Sequence, residues 1–246
     1  MHRFFISPDC IQAKIVDFPS ETDHQLRRVL RLQDGQDVIV LDNLGNEFEV
    51  ALRVDETGKF NGEVVSSRKA EGEPNTNLTL YLCLSQREKF EWMLQKCTEV
   101  GAAAFVPVIS SRSLVQKIAA VEKKYTRWQK IIQEAAEQSG RGRIPKLEAV
   151  QPFDKAVQAA ANNDAALLPW VGETACSLQE ALADLSAGGM TIAAMIGPEG
   201  GFSDEEAAAA EAAGVQPVTL GRRVLRMETA AVVTAALVMQ VMGEMG

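Results

Sequence analysis

Two short stretches near the C-terminus carry the residue types that could do chemistry. In IGPEGGFSDEE (196–206), Gly197, Gly200 and Gly201 fall within five positions at the end of an apolar run, with Pro198 and Glu199 between them. In LGRRVLRMETA (220–230), Gly221 precedes three arginines, Arg222, Arg223 and Arg226, and then Glu228 and Thr229. Glycine-rich loops between a strand and a helix often cradle phosphates on backbone N–H groups. This one matches neither G-x-G-x-x-G nor a Gly-Lys-Ser/Thr loop. Glu199 would set a negative charge beside an anion. Ser203, followed three residues later by Glu206, predicts a capping box that occupies the helix-start N–H groups a phosphate would need. A neutral or cationic ligand approached closely by backbone fits better, because glycine removes the Cβ barrier. An ordinary turn between strand and helix is the alternative.

Other chemistries lack their residues. The two histidines, His2 and His24, both fall near the N-terminus, so a Ser-His-Asp or Cys-His site around the glycine loop is implausible. There is no G-x-S-x-G. Cys10, Cys83, Cys97 and Cys176 are scattered with no C-x-x-C pair, which predicts neither a disulfide framework nor a zinc site. No His, Cys or carboxylate cluster has metal-ligand spacing. What remains is a reaction that works by positioning an already activated donor.

These stretches need a scaffold, and the chain has two textures. The polar segment AEGEPNTN (70–77) separates them. Before it lie short β-type runs at 3–6, 37–43, 48–54 and 62–67, interrupted by TDHQLRRVLR (22–31). The spacing of Leu26, Val29 and Leu30 predicts a helix there, with Thr22 or Asp23 as its cap. A small β-barrel or sheet over 1–72 fits this texture. After the linker, strand and helix patterns alternate in six β-then-α units, including helices over 87–100, 118–139 and 227–242. That alternation predicts a mostly parallel sheet covered by helices, with ligands at the carboxyl ends of its strands. The helix from Met227 to Met242 has only Glu228, Thr229, Thr234 and Gln240 as polar residues, so it is covered on most sides.

The formal charge of −8 hides a local asymmetry. Residues 112–146 hold nine Lys/Arg against three Asp/Glu, whereas 147–246 hold four against thirteen. Local basic patches allow an acidic chain to bind RNA, although a charge run also suits a solvated helix face. No apolar run reaches the ~20 residues of a membrane span, and no secretion signal opens the chain, so a cytoplasmic protein is expected.

Taken together, IGPEGGFSDEE and LGRRVLRMETA closely resemble the two C-terminal signatures of the SPOUT methyltransferases. More narrowly, the chain is similar to the RsmE family, which methylates ring nitrogen 3 of a uridine in small-subunit (16S) ribosomal RNA. MHRFF, HQLRRVLR, KFEWMLQKCTEVGAAAFVPVIS and RWQKIIQEAAEQSGRGRIPKLE extend the likeness over most of the sequence. The resemblance implies a PUA-like β-barrel for RNA over 1–72. Over 73–246 it implies an α/β domain with a C-terminal trefoil knot, paired as a homodimer through the region of the last helix. It also implies no metal.

S-adenosyl-L-methionine would lie among three loops. The resemblance puts Leu168 and Pro169 in one, Ile196, Gly197, Pro198, Glu199 and Gly201 in the second, and Leu220, Gly221, Leu225, Arg226, Glu228, Thr229 and Ala230 in the third. Arg226 would stabilise the uracil anion, and Glu199 or Glu228 could take its proton, unless each glutamate simply braces its loop. Arg3, with Arg27, Arg28 and Arg31 on one short helix, would contact RNA. Arg112, Gln138, Arg141 and Arg143 would frame the site's mouth. The substrate would be the RNA in an assembled 30S particle. Two rivals stay open: an enzyme of the same fold acting on a ribose hydroxyl or on tRNA, and a non-catalytic RNA-binding assembly factor.

Overall fold

The computed structural model describes residues 1–116, 118–185 and 189–245. The chain divides into two compact units, Met1–Glu73 with Ala136–Ile144, and Pro74–Ala135 with Pro145–Gly246.

The first unit is built on a six-stranded sheet. Its strands are β1 (Arg3–Phe5), β2 (Ile11–Gln12), β3 (Ile15–Asp17), β4 (Asp37–Leu41), β5 (Asn46–Val54) and β6 (Phe60–Lys69). Their order is β1-β4-β5-β6-β3-β2, antiparallel except for β1 beside β4. Alternating apolar residues place Phe4, Val16, Val38, Val40, Val50, Leu52 and Phe60 in one core with Phe18 and Leu26. The β5–β6 register shifts between Glu49 and Val50, and Val50 Cγ1 lies so close to Gly62 that a Cβ there would have no room.

The helix expected at 22–31 is different. Helix α1 (Ser20–His24) starts after Pro19 and passes into a π turn over Gln25–Val29, closed by Leu30 N–H to the Gln25 carbonyl at 2.9 Å. Neither Thr22 nor Asp23 caps it. The Asp23 carboxylate instead accepts the Phe60 N–H at 2.8 Å, tying the helix to β6. Arg31, at φ 55°, has left the helix, so it does not share a helical face with Arg27 and Arg28. Burying Leu26 under the sheet, with Leu32 N–H bonded back to the Leu26 carbonyl, reverses the chain earlier than the apolar spacing implied.

The second unit alternates strand and helix: β7 (Asn77–Cys83), α2 (Arg87–Val100), β8 (Ala104–Ile109), α3 (Ile118–Glu122), α4 (Tyr125–Ser139), β9 (Lys146–Leu147), β10 (Gln151–Pro152), α5 (Phe153–Ala160), β11 (Ala165–Pro169), α6 (Leu178–Leu182), β12 (Thr191–Ile196), α7 (Asp204–Ala212), β13 (Gln216–Val218) and α8 (Met227–Val241). The end of α4 belongs to the first unit. The continuous helix expected over 118–139 breaks into α3 and α4 at a tight turn, closed by Lys124 N–H to the Val121 carbonyl at 2.8 Å. All pairings in this sheet are parallel, in the order β10-β8-β7-β12-β11-β13, with β9 also against β8.

Strands β7, β12 and β11 read as near-continuous apolar runs because helices cover both faces of a parallel sheet. The chain first moves outward from β7 to β8 and β10, then returns across the sheet to β11. The last three strands therefore end side by side, which sets three loops together. Among the described residues no helix is long and apolar enough to cross a membrane.

Candidate functional site

Three loops leave the carboxyl ends of β11, β12 and β13, which are neighbours in the sheet. Between them lies a cavity of about 600 Å³. Pro169, Trp170, Glu173 and Thr174 come from the first loop, Ile196 to Phe202 from the second, and Thr219 to Glu228 with Ala230 from the third. Its size falls within the ~300–1,000 Å³ of small-molecule sites.

The second loop is held from both ends. Ser203 Oγ accepts the Glu206 N–H at 3.1 Å, and Glu206 Oε2 accepts the Ser203 N–H at 3.0 Å, the capping box the sequence predicts. The other oxygen, Oε1, accepts the Ser111 N–H at 2.8 Å. Arg112 Nη1 donates to the Gly200 carbonyl at 2.9 Å and lies 3.5 Å from the Phe202 carbonyl. Gly201 takes φ +68°, a conformation a side chain would strain, with open space where a Cβ would stand. The Ser203 and Glu206 N–H groups at the helix start are engaged within the protein, which leaves glycine backbone as the main offering of the loop.

The carboxylates around the cavity have distinct partners. Glu199 accepts from Lys89 Nζ at 3.3 Å, an ion pair between α2 and the glycine loop. Glu173 caps its own turn, accepting from the backbone N–H groups of Cys176 and Ala175, and those bonds hold its carboxyl below the usual range. Glu228 is different. Its Oε2 is buried and has no hydrogen-bond partner among the described residues. A buried carboxylate oxygen without a donor is costly, and Glu228 is one of the residues that line the cavity. Arg226 stands at the N-cap of α8, where its carbonyl accepts the Ala230 N–H at 2.8 Å. Its side chain is exposed at the cavity and has no ion pair among the described residues.

Of the expected cofactor residues, Pro169, Ile196, Gly197, Pro198, Glu199, Gly201, Leu220, Gly221, Leu225, Arg226, Glu228 and Ala230 all line this cavity. Leu168 is fully buried in β11 and Thr229 is exposed on α8; neither reaches the lining. Lys89, Trp170 and Phe202 reach it as well, although none is among the expected cofactor residues. Lys89 lies on α2, far ahead of the three loops in the chain, and only the sheet order brings it close.

The residues expected to face RNA fare unevenly. Arg28 and Arg31 are exposed with no ion pair among the described residues, and Gln138 is exposed. Arg27 donates to the Gly58 carbonyl. Arg3 pairs with Glu47 at 2.9 Å. Burial works against the Glu47 charge, but hydrogen bonds from Arg68 and Arg3 outweigh it and hold the carboxyl below its usual range. Arg143 is exposed and donates to the Leu44 carbonyl at 3.3 Å. One expectation needs correcting: the Arg141 side chain is 2% exposed against Glu73 in the first unit, so its guanidinium does not stand open at a mouth. Arg112 is exposed beside the glycine loop and donates to the Gly200 carbonyl.

Known proteins resemble this chain in sequence and fold. A family model described as an RNA methyltransferase domain matches residues 72–239. The chain is similar to the ribosomal RNA small subunit methyltransferase E of Synechocystis, at 33% identity over 96% of this chain and 76% of that one. The protein of the same name from Bacillus subtilis is 29% identical over 94% of this chain and 93% of its own. The crystal structure of the Neisseria gonorrhoeae ribosomal RNA small subunit methyltransferase E bound to S-adenosyl methionine superposes with a TM-score of 0.86. It is 30% identical and covers 98% of each chain.

Proposed function

We propose that this chain, which belongs to the ribosomal RNA small subunit methyltransferase E family, methylates ring nitrogen 3 of a uridine in small-subunit ribosomal RNA. It is an S-adenosylmethionine-dependent rRNA methyltransferase. The observation that carries the reading is the cavity itself: three loops from adjacent parallel strands, glycine backbone on one wall, and an arginine and an unpartnered carboxylate on another.

The residues fit the cofactor. The cavity has the volume for it, Gly201 leaves open space in the wall, and the capping box already takes the Ser203 and Glu206 N–H groups at the helix start. Ile196 to Gly201, Pro169, and Leu220 to Ala230 would hold it. When bound, S-adenosylmethionine supplies a methyl group already activated by a sulfonium.

The protein's own work is then positioning and charge. Uracil nitrogen 3 becomes nucleophilic when its proton leaves. Glu228 Oε2, buried at the wall with no donor of its own, takes that proton. The Arg226 guanidinium stabilises the negative charge that spreads over the two uracil carbonyl oxygens. Glu199 is the poorer proton acceptor, since Lys89 already holds it.

The first unit serves as a PUA-like barrel for RNA and the second as the methyltransferase domain, threaded as a trefoil knot; the motif order and the likeness to family members support both. A homodimer through α8 is supported by the half-buried apolar stripe of Val232, Val233, Ala236, Leu237 and Val241 on the helix face away from the core. The setting is the cytoplasm, with the 30S particle as substrate.

Two measurements test the proposal. Isothermal titration with S-adenosylmethionine should give a saturable heat; none at millimolar ligand removes the enzyme reading. Mass mapping of small-subunit rRNA from a strain lacking the gene should show one methyluridine missing. If every methyluridine persists and a ribose methyl or tRNA methyl is lost instead, the fold acts on a different target.

A further inference from the structure

We propose that Arg222, Arg223 and Val224 form an RNA-docking lip on the cavity. The two guanidiniums contact phosphates flanking the base to be methylated, and Val224 packs against a neighbouring unstacked base. The inference rests on the reading of the chain as an rRNA methyltransferase and goes beyond it, to the substrate contacts at the mouth.

Charge distribution is the first argument. Residues 147–246 hold four cations against thirteen carboxylates, and three of those four are Arg222, Arg223 and Arg226. All three line one cavity. The acidic remainder of this segment repels an RNA backbone, so its cations are concentrated where an approaching polyanion would be accepted.

Among the described residues, neither Arg222 nor Arg223 makes an ion pair or a side-chain hydrogen bond. The nearby carboxylates do not answer them: Glu199 is paired with Lys89, and Glu173 is bonded to the backbone of Ala175 and Cys176. Both arginines are exposed and both line the cavity, which puts them at its opening.

The backbone beneath them is fixed. Gly221 takes φ +103°, and its N–H donates to Thr219 Oγ1 at 3.1 Å, while that hydroxyl donates to the Gly221 carbonyl at 3.4 Å. A turn clamped this way presents the next residues without the entropy cost of ordering a loose loop. Val224 follows at 77% exposed, an apolar side chain left in water beside two arginines. Arginine forks recognise phosphate, and an RNA base splayed from its stack exposes apolar faces that need cover.

A pair of unneutralised guanidiniums would also suit a small carboxylate, so the test separates the two. The full-length protein is compared with Arg222→Ala/Arg223→Ala, Arg222→Lys/Arg223→Lys and Val224→Ser. Substrates are S-adenosylmethionine, by calorimetry, and small ribosomal subunits purified from a strain lacking the gene. Methyl transfer is followed from about 50 to about 200 mM potassium chloride.

For the double alanine variant, the S-adenosylmethionine Kd stays within about twofold, and the KM for subunits rises about tenfold or more. The slope of log kcat/KM against log salt falls by about 1.4, which is ~0.7 for each phosphate left without its arginine. The lysine pair recovers most of the slope, and Val224→Ser raises KM without changing it. An unchanged slope and KM overturn the proposal. A Kd for S-adenosylmethionine weakened by about tenfold also overturns it, assigning the arginines to the cofactor. Failure of the unsubstituted protein to bind S-adenosylmethionine would instead overturn the methyltransferase reading.

Discussion

Arg141 and Glu73 form a two-pronged pair: Nη2 lies 2.7 Å from one carboxylate oxygen and Nε 3.2 Å from the other. The same carboxylate accepts the N–H groups of Gly142 and Arg143, each at 3.1 Å. One side chain from the linker thus fastens the segment after α4 into the first unit. Breaking a buried ion pair by removing one partner is strongly destabilising. Glu73→Ala is expected to cost about 3 kcal/mol. Hydrogen exchange at the Gly142 and Arg143 amides reads the effect locally, and unchanged protection there would count against it.

Arg226→Ala should separate chemistry from binding. With the guanidinium gone, single-turnover methyl transfer is expected to fall about 100-fold, as for removal of one oxyanion donor. The Kd for S-adenosylmethionine should change by no more than about threefold. An unchanged turnover rate would remove Arg226 from the mechanism.

Arg112→Ala tests the glycine loop. It removes the donor to the Gly200 carbonyl and the guanidinium beside the Phe202 carbonyl, so the loop must be ordered by the ligand itself. A charge-assisted bond is worth roughly 1.5 kcal/mol, so S-adenosylmethionine binding should weaken about tenfold. Calorimetry measures this directly, and equal affinities would mean the loop holds its shape without the brace.

Glu91 supplies a pH-dependent contribution. It accepts from Arg127 Nε at 2.7 Å and Nη2 at 2.9 Å, and from Arg87 Nε at 3.0 Å, joining α2 to α4. Hydrogen bonds from Arg127 outweigh burial and, with those from Arg87, hold its carboxyl below the usual 4.5. A depressed folded-state pKa stabilises the protein above the unfolded value and ceases to do so as pH falls through the folded one. Glu91→Gln should therefore lower the Tm at pH 7, with the difference shrinking below about pH 4.5. A difference that stays constant down to pH 3 would rule out ionisation as its source.

Thiol reactivity should divide the cysteines. Burial pushes the Cys83 thiol up to about 12, against weaker opposing hydrogen bonds from Ser110 and Ser113, and burial also raises Cys97. Cys10 and Cys176 are only half-buried. Brief maleimide treatment of the native protein at pH 8 should label Cys10 and Cys176 alone, with Cys83 and Cys97 reacting only after unfolding. Peptide mapping by mass spectrometry checks this.

Much of the second unit could be read from the sequence. Its apolar runs and capping signals are local, so α2 over 87–100 and the Ser203–Glu206 box sit where the pattern puts them. The cavity was also foreseeable, because glycine loops at strand ends in a parallel sheet leave few places to converge.

What escaped depended on distant partners. Asp23 reads as a cap but bonds to Phe60. Arg31 reads as helical but takes a positive φ after a π turn. Arg141 reads as a surface cation until Glu73 is found beside it. Lys89 opens one of the family-like stretches, but nothing local tells that it pairs with Glu199.

The last helix also sets a timetable. Helix α8 lies against α2 and β7, Met239 closes on Gly101, and Glu244 Oε1 accepts both the N–H and the hydroxyl of Thr76, at 2.8 and 2.9 Å. The first strand and helix of the second unit thus wait for residues between Met227 and Glu244. A chain made from its N-terminus cannot complete this core until that stretch has left the ribosome, and the cavity whose wall includes Glu228 takes shape only then.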